Sequence, residues 1–157
     1  MAEVSGESSP GVRVPVTVRW SDMDAFGHVN NVQFLRLLEE SRIAAFEQLR
    51  DGGPSLLETG VLVARHEVEY LRPLAWSARP VQVLLWVTAV GGASFDLGYE
   101  VRDAEPGQGE QVYVRAASTM VTFDVATGAT RRVSDRERAV LEGWRGAPVP
   151  FRRRSTA

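Results

Sequence analysis

Hydrophobic positions along the chain change period twice. Val12, Val14, Val16, Val18 and Trp20 alternate with Arg13, Thr17 and Arg19, the period-2 pattern of a half-buried strand, and Pro15 places part of it at an edge. Beyond Asn31 the period becomes helical. Phe34, Leu37, Leu38, Ala45, Phe46 and Leu49 recur along one stripe, and Val32, Leu35, Ile43 and Ala44 widen it, which predicts a helix largely wrapped by other structure. Asn30 and Asn31 stand just ahead of that run. An Asn there caps a helix because its side-chain oxygen accepts from an otherwise unpaired N–H, so the helix is expected to start near Asn31. Asp51-Gly52-Gly53-Pro54 ends it.

Period 2 then returns in four strand-like runs, Val61 to Leu71, Val81 to Val90, Ser94 to Arg102 and Gln111 to Asp124. Gly91-Gly92 signals a hairpin, Asp103 to Gly109 a polar loop, and Leu56 to Gly60 a loop with room for one helical turn. The order β-α-β-β-β-β with short later connections predicts an α+β fold, an antiparallel five-stranded sheet with one helix on a face. Ser134 with Glu137 three residues on is a capping box, which predicts a short helix over Ser134 to Trp144. Residues 1–11 read as a disordered tail, 12–146 as one domain and 147–157 as a C-terminal tail, with Phe151 to Arg154 solvated.

Composition narrows the chemistry. The 157 residues suffice for one domain, and 44% hydrophobic with 24% charged residues is ordinary globular composition. No apolar run approaches the length that crosses a bilayer. Met1 to Pro10 holds no basic residue and no apolar core, so neither a secretory signal nor a transit peptide is expected, and the cytoplasm is the expected location. The absence of cysteine removes thiolate chemistry and Cys-ligated metal, and two histidines, His28 and His66, make a multi-His metal site unfavourable. Every basic residue is arginine, which excludes a lysine Schiff base, and a net charge of −2 supplies no basic field for nucleic acid. Carboxylates, histidine, hydroxyls and backbone dipoles remain.

The turn before the helix carries the strongest signal. Trp20-Ser21-Asp22-Met23-Asp24-Ala25-Phe26-Gly27-His28-Val29-Asn30-Asn31, with Glu39, Glu40 and Arg42 following, resembles the signature of hotdog-fold acyl-CoA thioesterases of the 4-hydroxybenzoyl-CoA thioesterase type. Val68-Glu69-Tyr70-Leu71-Arg72-Pro73-Leu74 resembles the strand after the helix in that family. The resemblance implies a sheet wrapped around one long central helix, an acyl-CoA or acyl carrier protein thioester as substrate, and no cofactor beyond the coenzyme A of the substrate. It also implies a homodimer or dimer-based tetramer with the site between subunits. An open strand edge and a broad apolar helix ask for such cover independently.

By the same resemblance Asp24 matches the catalytic aspartate, and Asn31, seven residues later, the position whose backbone N–H polarises the thioester carbonyl. A helix N-terminus suits that task through free N–H groups and its dipole, and a carboxylate serves as nucleophile or as general base on water. An Asp in such a loop also commonly accepts backbone N–H bonds, a reading the motif outweighs. Asp22 reads as a loop brace. His28 reads equally as a substrate-orienting or acid group and as a loop-fixing residue, and Gly27 supplies backbone freedom or close ligand approach. Glu39 is the reserve carboxylate, since a related subclass carries its acid on the helix. Its alternative is an ion pair with Arg36 or Arg42. Arg65, Arg72 and Arg79 are candidate clamps for coenzyme A phosphates, with no spacing that selects among them. Trp76-Ser77-Ala78-Arg79 replaces the Gly-Asp often seen after the Arg-Pro-Leu block. The competing functions are an enoyl-thioester hydratase, whose Asp-x-Asn-Pro-x-His spacing is absent, and a non-catalytic acyl-CoA-binding module on the same fold.

Overall fold

The computed structural model describes residues 10–103 and 110–152. Strands β1 (Val12–Val16), β2 (Val61–Tyr70), β3 (Val81–Val90), β4 (Ser94–Arg102) and β5 (Val112–Thr122) form one antiparallel sheet in the order β1-β3-β4-β5-β2. Helix α1 (Asn31–Gln48) lies along one face of it, so the α+β fold with a central helix is as expected. The core forms where Phe34, Leu37, Leu38, Ala45 and Phe46 of α1 meet the inward residues Val83, Leu85 and Val87 of β3 and Leu97, Tyr99 and Val101 of β4. Period 2 in the strands and 3.6 in the helix thus point at each other.

Most boundaries fall within two residues of expectation, and the exceptions have local causes. The first strand ends at Val16 because Val16 pairs with Val81, where β3 begins, so the chain beyond has no strand to bond. Trp20 therefore opens a 3-10 turn (Trp20–Asp22) and is 75% exposed instead of half-buried. Pro15 does sit on an edge strand. Leu56–Thr59 makes a single helical turn, α2, capped by Ser55, and α3 (Asp135–Glu142) carries the capping box of Ser134 and Glu137.

Helix α1 is less enclosed than its sequence suggests. It packs mainly over β1 and β3 and meets β2 at Tyr70, leaving Val32 61% and Ile43 47% exposed. Strand β2 is the second edge, with Leu62, Val63 and Tyr70 exposed, so it is open on both faces.

The segment from 147 to 152 is not a free tail. It crosses the outer face of the sheet, where the Ala147 carbonyl accepts from Trp86 Nε1 at 2.7 Å, the Pro150 carbonyl from Arg115 at 3.0 Å, and Glu69 accepts the Arg152 N–H at 3.2 Å. The apolar surface of Leu84 and Trp86 on that face gives it a reason to stay. Gly11 likewise packs against the Leu85 backbone. Residues 1–9 and 153–157, the rest of the two expected tails, lie outside the described residues, as do residues 104–109 of the expected Asp103 to Gly109 loop.

Candidate active site

The turn from Met23 to Val29 is a short hairpin closed by its own amides. Asp24 N–H donates to the His28 carbonyl at 2.8 Å, Gly27 N–H to the Asp24 carbonyl at 3.2 Å, and Met23 bridges Val29. Gly27 takes φ +76 with open space where a Cβ would stand, so it is needed for left-handed backbone and not for close packing. The hairpin is pinned from behind. Val29 N–H donates to the Leu74 carbonyl at 2.7 Å and His28 bridges Ala75.

Asp22 and Asp24 divide the labour. Asp22 is buried, and its Oδ2 accepts the Arg19 N–H at 2.7 Å and a short bond from Arg36, while its carbonyl accepts the Asn30 N–H at 2.8 Å. It is the loop brace. Asp24 Oδ1 accepts the N–H groups of Phe26 at 2.8 Å and His28 at 3.3 Å, whereas Oδ2 has no partner among the described residues.

Asn30 caps α1, its Oδ1 accepting the Val32 N–H at 3.0 Å and its carbonyl the Gln33 N–H at 2.9 Å. The Asn31 N–H lies between them with no acceptor among the described residues, as the first turn of a helix dictates. Asp24, His28 and Asn31 line one cleft of about 340 Å³ together with Phe34, Tyr70 and Arg72. The fold thus brings a half-free carboxylate, an imidazole and a helix N-terminus to one opening, with Arg72, whose guanidinium donates to Gln111 Oε1 at 3.4 Å, also in its lining.

Tyr70 is the residue the sequence reading passed over. Its hydroxyl donates to the Asn31 carbonyl at 2.9 Å and its ring lies 5.7 Å from that of Phe34, so it ties the end of β2 to the start of α1. Burial pushes its hydroxyl pKa up, keeping it a donor. Its place in the Val68 to Leu74 block was the available signal, since β2 antiparallel to the helix direction must end near the helix start.

The other candidates disperse. Arg65 is on the outer face of the sheet, in a separate cleft with Thr88, Asp96 and Thr119, and pairs with Glu67 at 3.9 Å. Arg79 lies in the loop before β3. Glu39 is exposed midway along α1, and it pairs with neither Arg36, which binds Asp22 and Glu40, nor Arg42. Among the described residues no group of three or more acidic or histidine side chains could hold a metal.

A family model described as the thioesterase-like superfamily matches residues 18–151. The chain belongs to that superfamily. It is 31% identical over 126 residues to the uncharacterized protein YsmA of Bacillus subtilis, covering 80% of this chain and 82% of that one. A Thermus thermophilus thioesterase, solved in complex with coenzyme A and zinc, is 30% identical, with 90% of this chain and 99% of that chain covered and a TM-score of 0.72. A thioesterase-superfamily structure from Jannaschia sp. has a TM-score of 0.75 at 20% identity, covering 87% and 94% of the two chains, a likeness of fold alone. The hotdog thioesterase anticipated from the Asp24 turn is therefore shown, and the protein is a thioester hydrolase.

Proposed function

We propose that this thioesterase hydrolyses an acyl-CoA thioester to the free acid and coenzyme A, with Asp24 supplying the carboxylate and the Asn31 N–H the oxyanion contact. The observation that carries this reading is that Asp24, whose Oδ2 has no partner among the described residues, and Asn31, whose N–H has none there either, line one cleft. The thioester carbonyl points its oxygen at the helix end, where N–H and dipole stabilise the charge that develops as the carbon becomes tetrahedral. Asp24 then either takes a proton from water, whose oxygen bonds to the carbonyl carbon, or attacks that carbon itself. In both cases the C–S bond breaks and coenzyme A leaves as thiolate. In the second case water cleaves the resulting anhydride and restores the carboxylate. His28 and Arg72 line the same cleft, where His28 would meet the leaving sulfur and Arg72 a coenzyme A phosphate. The coenzyme A bound by the Thermus relative supports that carrier over an acyl carrier protein.

The working unit in this reading is a dimer, or a tetramer built from dimers, joined through β2. Ten residues long, with an unpaired edge and both faces exposed, β2 is the kind of strand that pairs with another copy, whereas β1 is short and blunted by Pro15. Release of free thiol from a panel of acyl-CoAs tests the activity. Loss of enoyl absorbance without thiol release would instead indicate a hydratase, and binding with neither change a non-catalytic module.

A further inference from the structure

Midway along α1 the chain carries a cation and an anion that its own fold keeps apart. Arg42 is only 6% exposed, yet the one side-chain hydrogen bond it makes among the described residues is to the Tyr99 hydroxyl at 3.3 Å, and no carboxylate among them pairs with it. A guanidinium so nearly out of water without a counter-charge is expensive to maintain, although none of its fully buried nitrogens is left without a bond. Glu39, three residues earlier, is exposed and has no hydrogen bond or ion pair to a described residue. Arg42 reaches this side of the helix through Tyr99, Glu39 shares with Val32 and Ile43 the α1 face left exposed, and His66 stands opposite on the inner side of β2, so the gutter between α1 and β2 holds all three. His66 Nδ1 meets the buried Ser118 hydroxyl at 2.7 Å, and Ser118 in turn reaches Tyr99. Away from this polar band the gutter is apolar, with Val32 and Ile43 on one wall and Val63 on the other.

We propose that a second copy of the chain fills this gutter and that the polar band sets its register, with the carboxylate of Glu39 of the partner subunit seated on Arg42 and the reciprocal pair formed by symmetry. The inference rests on the dimer reading above and deepens it. Two features favour a second copy over a substrate anion. An unpaired acid and an unpaired base on one surface are self-complementary, and a two-fold interface places residue i on j and j on i. The midpoints also coincide. The centre of β2 falls at Arg65 and His66 and that of α1 at Glu39 and Glu40, so a two-fold axis through the middle of paired β2 strands brings the two bands together. A substrate anion would in addition meet the repulsion of Glu39 itself. Ion pairs at the centre of an apolar seam penalise every shifted alignment, the best-attested use of such groups.

Glu39→Gln is the direct test, because Glu39 is exposed in the protomer and the change leaves its fold alone. The dimer dissociation constant, read by sedimentation equilibrium, should rise about a hundredfold, two pairs being lost per dimer. Complementary charge variants then separate pairing between chains from pairing within one. Glu39→Arg and Arg42→Glu chains should each be monomeric at micromolar concentration and should form heterodimers when mixed. An unchanged dissociation constant for Glu39→Gln would overturn the pairing while leaving the β2 dimer intact. So would a Glu39→Gln dimer of normal affinity whose preference among acyl groups has changed, which would assign Arg42 to the substrate. A monomeric wild-type chain would overturn the pairing and the dimer reading together.

Discussion

Asp24 and Glu137 are both carboxylates set beside a helix N-terminus, yet their surroundings are opposite. Glu137, 12% exposed, accepts the Ser134 N–H at 2.9 Å, both terminal nitrogens of Arg131 at 2.8 and 2.7 Å, and the Thr59 hydroxyl at 3.0 Å. Burial alone would raise its pKa, but the Arg131 bonds and the two neutral donors overcome that and lower it to about 2. Its oxygens are fully engaged, and it joins the cap of α3 to α2 and to the end of β5. Asp24 meets no cation among the described residues. Two amides fix one oxygen, the other has no partner among the described residues, and the residue lines the cleft. Bracing and reactivity are therefore not rivals in such a turn: two amides hold one oxygen of Asp24 and leave the second without a partner among the described residues, whereas the bidentate arginine engages both oxygens of Glu137.

The largest effect should come from removing the charge at each acid. Asp24→Asn keeps an oxygen for the Phe26 and His28 amides, so the turn should persist while kcat falls about 10²–10⁴-fold, the usual worth of a positioned base. Glu137→Gln should leave kcat within a few-fold of wild type. Thiol-release kinetics on both variants check the contrast. An Asp24→Asn enzyme near wild-type rate alongside a dead Glu39→Gln would move the carboxylate onto the helix and break the comparison.

Next in size is the amide that faces Asp24. Asn31 is the first helical residue and its N–H has no partner among the described residues, so proline there removes only that donor. Asn30 as the N-cap has φ −59 and ψ 138, which a following proline tolerates. Asn31→Pro should stay folded by circular dichroism and lose about 10²–10³ in kcat, while Asn31→Ala keeps most activity. Equal rates for the two would place the oxyanion contact elsewhere.

How much of this was legible in the sequence depended on whether the cause was local. The Asn30 cap, the Ser134 box and the Gly91-Gly92 hairpin are decided by residues within four positions of each other, and all appear where the sequence puts them. The Asp24 turn was legible as a motif, but the division between Asp22 and Asp24 was not. That division depends on Arg36, which reaches back from the helix to take Asp22 and leaves Asp24 without a cation. Trp20 was misjudged because a strand needs a neighbour as well as a pattern. The broad apolar belt of α1 suggested full enclosure, yet Val32 and Ile43 are exposed, since periodicity reports that a face is to be buried and not which chain buries it. Tyr70 and the segment over Trp86 owe their places to strand order, which a single sequence does not spell out.

The smallest effect concerns what holds the second carboxylate, and its sign follows from its pKa. Glu137 is lowered from 4.5 to about 2 in the folded chain, so between those values the unfolded chain binds the extra proton. Its contribution to stability is therefore complete above about pH 4.5 and is lost as pH falls toward 2. At pH 7 Glu137→Gln should lower the melting temperature by a few degrees, because it weakens the bidentate Arg131 contact and one half of the capping box. As pH drops below 4.5 the melting curves of variant and wild type should converge, for the protonated acid and the amide are then alike. A gap that stayed constant from pH 7 to pH 3 would show that Glu137 acts by shape in the α3 cap and not by charge, and its contrast with Asp24 would then rest on the count of hydrogen bonds alone.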